Sequence, residues 1–164
     1  MNDTCNDGSL SPENDIDYMK RAIFSARLAE KRGEVPVGAL IVDENGAVIA
    51  EACNQTIALC DPTAHAEILA MRQAAVHKGN YRLLNTTLYA TVEPCAMCMG
   101  AAIHARVARV VFGVHDPKWG AAGSLFDFSE KGLFNHPIEI TSGLCEAECR
   151  QLLVDFFRSK RNHG

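Results

Sequence analysis

The chain has 164 residues, an apolar fraction of 48% and a formal net charge of −4, the size and composition of one globular domain with a full core. No apolar run approaches the roughly 20 residues needed to cross a bilayer as a helix, so no membrane association is expected. The mild acidity argues at first sight against a nucleic-acid partner, but the charge is unevenly spread. Residues 1–19 hold Asp3, Asp7, Glu13, Asp15 and Asp17 with neither Lys nor Arg, which leaves the remainder close to neutral. From Arg150 onward, Arg150, Arg158, Lys160 and Arg161 stand against Asp155 alone. Such a basic helix end either holds phosphates or simply complements the helix dipole.

Residues 1–15 are polar and carry Gly8, Ser9, Ser11 and Pro12, which reads as a disordered acidic tail before a single domain over 16–164. From Ile16 to Arg32 apolar residues recur at helical spacing (Met19, Ala22, Ile23, Ala26, Leu28, Ala29), and Gly33 stops the pattern. Residues 37–42 and 47–53 read as two strands of a hairpin, joined through an Asn45-Gly46 turn signal. Asp61-Pro62-Thr63 looks like the start of a helix running to about His77, with Gly79 as its stop. A strand over 86–92, a helix over 95–105 and an apolar strand over 107–114 follow. A looser segment begins at Lys118-Trp119-Gly120, and Trp119 reads as a packing or loop anchor. A short strand over 138–141 and an amphipathic helix over 146–158 close the chain. This alternation predicts an α/β fold in layers, with an antiparallel hairpin on part of the sheet.

Two short motifs carry chemistry: His65-Ala-Glu67 and Pro94-Cys95-Ala-Met-Cys98. Cys95 and Cys98 are three apart and share one face of a first helical turn, where the positive helix end favours thiolates. His65 and Glu67 are two apart and do not share a face within a helix. They serve one ion only if it lies off the helix end, so two helix N-termini are expected to converge on one metal. Three ligands suit a catalytic zinc site with an open position for water, whereas structural sites close with four. Zinc would bring that water's pKa toward neutrality. Glu67 is then the natural general base, and after attack the acid for a leaving amine. The pattern points to hydrolytic deamination of a ring bearing an exocyclic amine.

Other readings stay open at this level. Cys60 or His104 would complete a structural zinc knuckle, and a redox dithiol would leave His65-x-Glu67 without a role. The seven cysteines are an odd number, and the start Met1-Asn2-Asp3-Thr4-Cys5 lacks the basic-then-apolar pattern of a secretion signal. Both features favour metal binding in a reducing cytoplasm over a disulfide framework. Cys5, Cys53, Cys60, Cys145 and Cys149 read as inert.

From Glu34 onward the chain closely resembles the bacterial tRNA-specific adenosine deaminases, within the cytidine-deaminase-like superfamily. The resemblance rests on Glu34-Val-Pro-Val-Gly38, Asp61-Pro-Thr-Ala-His-Ala-Glu-Ile68, Asn80-Tyr-Arg-Leu83 and Glu93-Pro-Cys-Ala-Met-Cys98. It continues through Ile103-His-Ala-Arg106, Val110-Val-Phe-Gly113, Gly120-Ala-Ala-Gly-Ser-Leu125, Asn135-His136 and the closing helix. It implies a three-layer α/β/α sandwich around a mixed five-stranded sheet, a cytoplasmic homodimer and one zinc per subunit. His65, Cys95 and Cys98 would hold the zinc and Glu67 would move the proton. The implied reaction converts the wobble adenosine of a tRNA anticodon stem-loop to inosine, typically in the arginine tRNA with an ACG anticodon.

The resemblance also assigns Asn54 to the bound nucleoside and Asp116 to the sugar of the target nucleotide, and Arg158 on the basic closing helix is a candidate for the RNA. Their plain alternatives are a turn Asn, a loop-capping Asp and a solvated helix end. Lys160 and Arg161 join Arg158 as candidates for the RNA backbone, with Phe156 or Phe157 near bases. A base in an anticodon loop is already exposed, so flipping it into a recessed site costs little. The 55–60 loop departs from the family pattern, which leaves its contacts open. The rival reading is a free-base or nucleotide deaminase of the same superfamily, such as a guanine deaminase. A rival of another kind is a non-catalytic, zinc-stabilised RNA-binding module.

Overall fold

A computed structural model describes residues 12–162. Helix α1 runs over Pro12–Lys31, longer at its start than the sequence pattern indicates. Proline suits a first turn, where no amide donor is required. The expected tail boundary at residue 15 therefore moves, because residues 12–15 are helical; residues 1–11 lie outside the described residues. The stripe Met19, Ala22, Ile23, Ala26 and Ala29 is fully or almost fully buried, the three-and-four spacing of a helix lying on a sheet.

The strands are β1 (Gly38–Val42), β2 (Val48–Cys53), β3 (Thr87–Val92), β4 (Arg109–Val114) and β5 (Glu139–Thr141), and the sheet order is β2-β1-β3-β4-β5. Strand β1 is antiparallel to both β2 and β3, whereas β3, β4 and β5 are parallel. The sheet is thus mixed and five-stranded, as the resemblance implied. Asn45-Gly46 does close the β1–β2 hairpin, but only Gly46 takes a left-handed backbone (φ 79°). Asp43 Oδ1 accepts the N–H groups of Asn45 and Ala47, each at 2.9 Å.

Period-two alternation sorts the side chains into two cores. Ala39, Ile41, Leu88, Ala90, Val110 and Phe112 face α2 (Ala66–Lys78) and α3 (Ala96–His104). Leu40, Val42, Tyr89 and Val111 face α1 and α4 (Glu146–Asn162). The result is a three-layer α/β/α sandwich. Both helices of the second layer need a close approach: a Cβ on Gly38 would fall 2.0 Å from Ala22 O, and one on Gly113 would fall 2.4 Å from Cys149 Sγ. No described helix is long and apolar enough to cross a membrane.

Asp15 is buried rather than part of a loose tail. Its Oδ1 accepts the Tyr89 hydroxyl at 2.5 Å, and Arg109 donates to both carboxylate oxygens at 3.1 and 2.7 Å. Arg109 also donates to Thr141 Oγ1, so one carboxylate joins α1 to β3, β4 and β5. Removing it strands a phenol and a guanidinium in a largely enclosed place. Asp15→Ala is expected to lower unfolding stability by about 2 kcal/mol or more, read from denaturant midpoints at constant slope.

Candidate active site

Strands β2, β3 and β4 run in the same direction, so their C-terminal ends lie along one edge of the sheet. Asn54 follows β2, Glu93-Pro94-Cys95 follows β3, and His115-Asp116 follows β4. Ligand sites of open α/β sheets form at this edge. Here it also receives the N-termini of α2 and α3.

The expected start of α2 at Asp61 is not observed. Asp61 Oδ1 instead accepts the Thr63 N–H at 2.8 Å and its hydroxyl at 2.7 Å, a side-chain turn that competes with helix. The helix begins at Ala66, with His65 extended at its N-cap (φ −69°, ψ 150°). Cys95 has the corresponding N-cap place on α3 (φ −74°, ψ 175°). Neither side chain caps its own helix; both turn toward each other.

His65 Nδ1 lies 3.7 Å from Cys95 Sγ and 3.6 Å from Cys98 Sγ, and the two sulfurs are 3.7 Å apart. Tetrahedral zinc with ordinary bond lengths requires about 3.8 Å between two sulfurs and about 3.6 Å between sulfur and nitrogen. The three donors therefore fit zinc closely. They are the only group of three or more such ligands found among the described residues. Cys60 is exposed and directed at Ile57 O. His104 is exposed at the far end of α3, roughly 13 Å along the helix axis. A closed four-ligand structural site is not formed by either. The Cys95 thiol is held down to about 4, chiefly by its hydrogen bond with Cys98 and further by His65. Cys98, the other partner in that bond and deeply buried, is raised.

Glu67 sits in the first turn of α2 and is 3% exposed. Its Oε2 has no hydrogen-bond partner among the described residues, and burial pushes its carboxyl up to about 7. An orphaned buried oxygen beside a three-donor metal cradle is the arrangement a proton-transferring group requires.

Asn54 is buried, and its Oδ1 accepts the Ala66 N–H at 3.2 Å. It therefore caps α2 in place of His65, which frees the imidazole and directs the Asn54 amide NH2 away from the helix. Asp116 Oδ1 accepts the N–H groups of Lys118 and Trp119 at 2.9 and 3.3 Å, so the loop-capping geometry is realised. Arg158 is exposed on α4 and does not line the groove beside the loop. That open groove, about 490 Å3, is lined by Lys118, Phe157, Lys160 and Arg161. Phe156 is buried beneath Lys160, whose ammonium stands 5.3 Å from its ring centre, whereas Phe157 is half exposed.

Two buried carboxylates had no role assigned from the sequence. Glu34 accepts the N–H groups of Ile57 and Ala58 and the Thr56 hydroxyl, pinning the 55–60 loop. Glu93 accepts from Asp116 N, Ala122 N and Ser124 N and from the Ser124 hydroxyl. Burial alone would raise both carboxyls, but the converging donors outweigh it and hold them below their usual range. Their only local signal was a glutamate at the edge of a recognisable motif. Lys118 was likewise missed, because nothing local says that α4 ends beside its loop.

A family model for the cytidine and deoxycytidylate deaminase zinc-binding region matches residues 12–114, and the chain belongs to that family of zinc deaminases. Within it the chain groups with the tRNA-specific adenosine deaminases. One of these, from Haemophilus influenzae, is 50% identical over 149 residues, which cover 91% of this chain and 86% of that protein. A solved structure from a study of A-to-I editing by tRNA:A34 deaminases at the wobble position of transfer RNA has a TM-score of 0.80 and 42% identity. The alignment covers 84% of this chain and 99% of that one. A guanine deaminase from Bacillus subtilis has a TM-score of 0.61 and 34% identity, over 93% and 95% of the two chains.

The donor geometry makes a direct prediction. Cys98→Ala removes the buried corner of the triangle, and metal analysis of the purified protein is expected to find zinc reduced to near zero. Wild-type zinc content in that variant would show that the ion binds elsewhere.

Proposed function

We propose that this protein is a zinc-dependent hydrolase that converts the wobble adenosine of a tRNA anticodon to inosine, releasing ammonia. The observation that carries the chemistry is the unpartnered Oε2 of Glu67 beside the His65–Cys95–Cys98 triangle. Its likeness to tRNA-specific adenosine deaminases along nine-tenths of the chain supports the substrate.

In this reading His65, Cys95 and Cys98 hold one zinc per subunit, and that zinc supplies Lewis acidity that brings a water's pKa near neutral. Glu67 Oε2 takes a proton from the water as the water oxygen bonds to the amine-bearing ring carbon, and returns it as the carbon–nitrogen bond breaks, so that the amine leaves as ammonia. The Asn54 amide, oriented by its bond to Ala66, donates to an acceptor on the nucleoside. The free oxygen of Asp116 faces the sugar of the target nucleotide. Lys118, Lys160 and Arg161 hold phosphates, with Phe157 between them for an unstacked base and Arg158 at the margin. The arginine tRNA with an ACG anticodon is the expected substrate. Homodimer assembly and a cytoplasmic location follow the family and belong to the same proposal.

Incubation with an anticodon stem-loop is expected to yield inosine at the wobble position and free ammonia. Activity on guanine with none on the RNA would transfer the reading to the guanine deaminases. Glu67→Ala should lose about a thousandfold or more in turnover, within the usual range for general acid–base groups, while keeping its zinc. Unchanged turnover would remove Glu67 from the mechanism. Combined Lys160→Ala and Arg161→Ala should weaken RNA binding and reduce the salt slope of log K by about 1 to 2. An unaltered slope would make α4 a structural helix only.

A further inference from the structure

We propose that Glu93 is a positioning residue for the substrate: its buried carboxylate fixes the 115–124 loop at both bases, so that Asp116, Lys118 and Trp119 stand preformed beside the metal cradle. The claim that this loop meets RNA rests on the function proposed above; the claim that Glu93 orders it does not.

The Glu93 side chain is fully enclosed. Every backbone and hydroxyl donor to it comes from this one loop. Asp116 N donates to Oε2 at 2.9 Å, Ala122 N and Ser124 N each donate to Oε1 at 3.0 Å, and the Ser124 hydroxyl donates to Oε2. His115 Nδ1 approaches Oε2 at 3.3 Å. The donors lie on either side of the Lys118-Trp119-Gly120 tip, so one carboxylate closes the loop onto itself. The same loop is tied to the metal-ligand segment by Ala121 N donating to Pro94 O at 2.9 Å and by the bridge between Cys95 and Gly120. Gly120 has no room for a side chain: a Cβ there would fall 2.4 Å from the Glu93 carboxylate and 2.6 Å from Asp116 O. An acceptor-only group suits this place because all its neighbours donate. A glutamine of the same size would turn an amide against one of them.

Trp119 is the single tryptophan of the chain and is 71% exposed at the loop tip, so its fluorescence reports on this loop alone. In Glu93→Gln the zinc content should match wild type while the steady-state anisotropy of Trp119 falls. KM for the anticodon stem-loop should rise about tenfold or more while kcat changes by less than about threefold. Gly120→Ala, which keeps the carboxylate but displaces the loop, should reproduce both changes. The double variant should be no worse than the more severe single one, because both act on one contact set. Should Glu93→Gln fail to fold, Gly120→Ala and the milder Ser124→Ala give the same two readings. Wild-type anisotropy and KM in the folded variants would overturn the proposal, as would a loss confined to kcat. If the unaltered protein leaves the RNA untouched, the function reading fails instead. Trp119 anisotropy then decides the ordering role of Glu93 by itself, and an unchanged value overturns it.

Discussion

Everything at the functional edge depends on two helices beginning at the same point with their N-cap side chains turned outward from the helix. His65 and Cys95 occupy positions that normally satisfy backbone donors, yet both spend their side chains on the metal triangle. The duty left undone at α2 passes to Asn54, whose carbonyl receives Ala66 N. One constraint therefore places a ligand, frees its imidazole and fixes the Asn54 amide beside it. Cys98 follows one turn later on the same helix face and completes the triangle from its buried side.

Three buried glutamates near this edge show how surroundings divide one residue type into separate roles. Glu34 and Glu93 are surrounded by donors, remain acceptors and hold their loops. Glu67 is as deeply buried but has an oxygen with nothing to accept, and its carboxyl rises to about 7. The difference comes from what the adjacent backbone offers: loop N–H groups converge on the first two, while Glu67 faces the thiol and imidazole ligands. Carboxyls separated in this way are suited respectively to scaffolding and to proton transfer.

The charge distribution reconciles a mildly acidic chain with a polyanionic partner. One of the acids that made the N-terminal stretch look like a loose tail, Asp15, is consumed internally by Arg109 and Tyr89. The cations at the end of α4 meet Lys118 from a loop roughly forty residues earlier, with Phe157 among them. Local concentration of charge beside exposed aromatic surface, rather than net charge, is what single-stranded nucleic acid requires.

Much of this was legible in the order of residues. Apolar patterning together with cap and turn signals identified the four helices and five strands of the described residues, with boundaries shifting where a cap or turn competed, as at Pro12 and Asp61. The spacing of His65-x-Glu67 and Cys95-x-x-Cys98 pointed to the candidate metal donors and to the reaction class, because ligand chemistry and helical pitch are local properties. Tertiary structure alone decided which carboxylates are enclosed by donors and that Asn54 caps a helix twelve residues away. It also decided that Lys160 and Arg161, rather than Arg158, line the groove. Those outcomes depend on which strand ends share an edge and how closely α4 approaches Gly113. They are long-range contacts that no short stretch of sequence encodes.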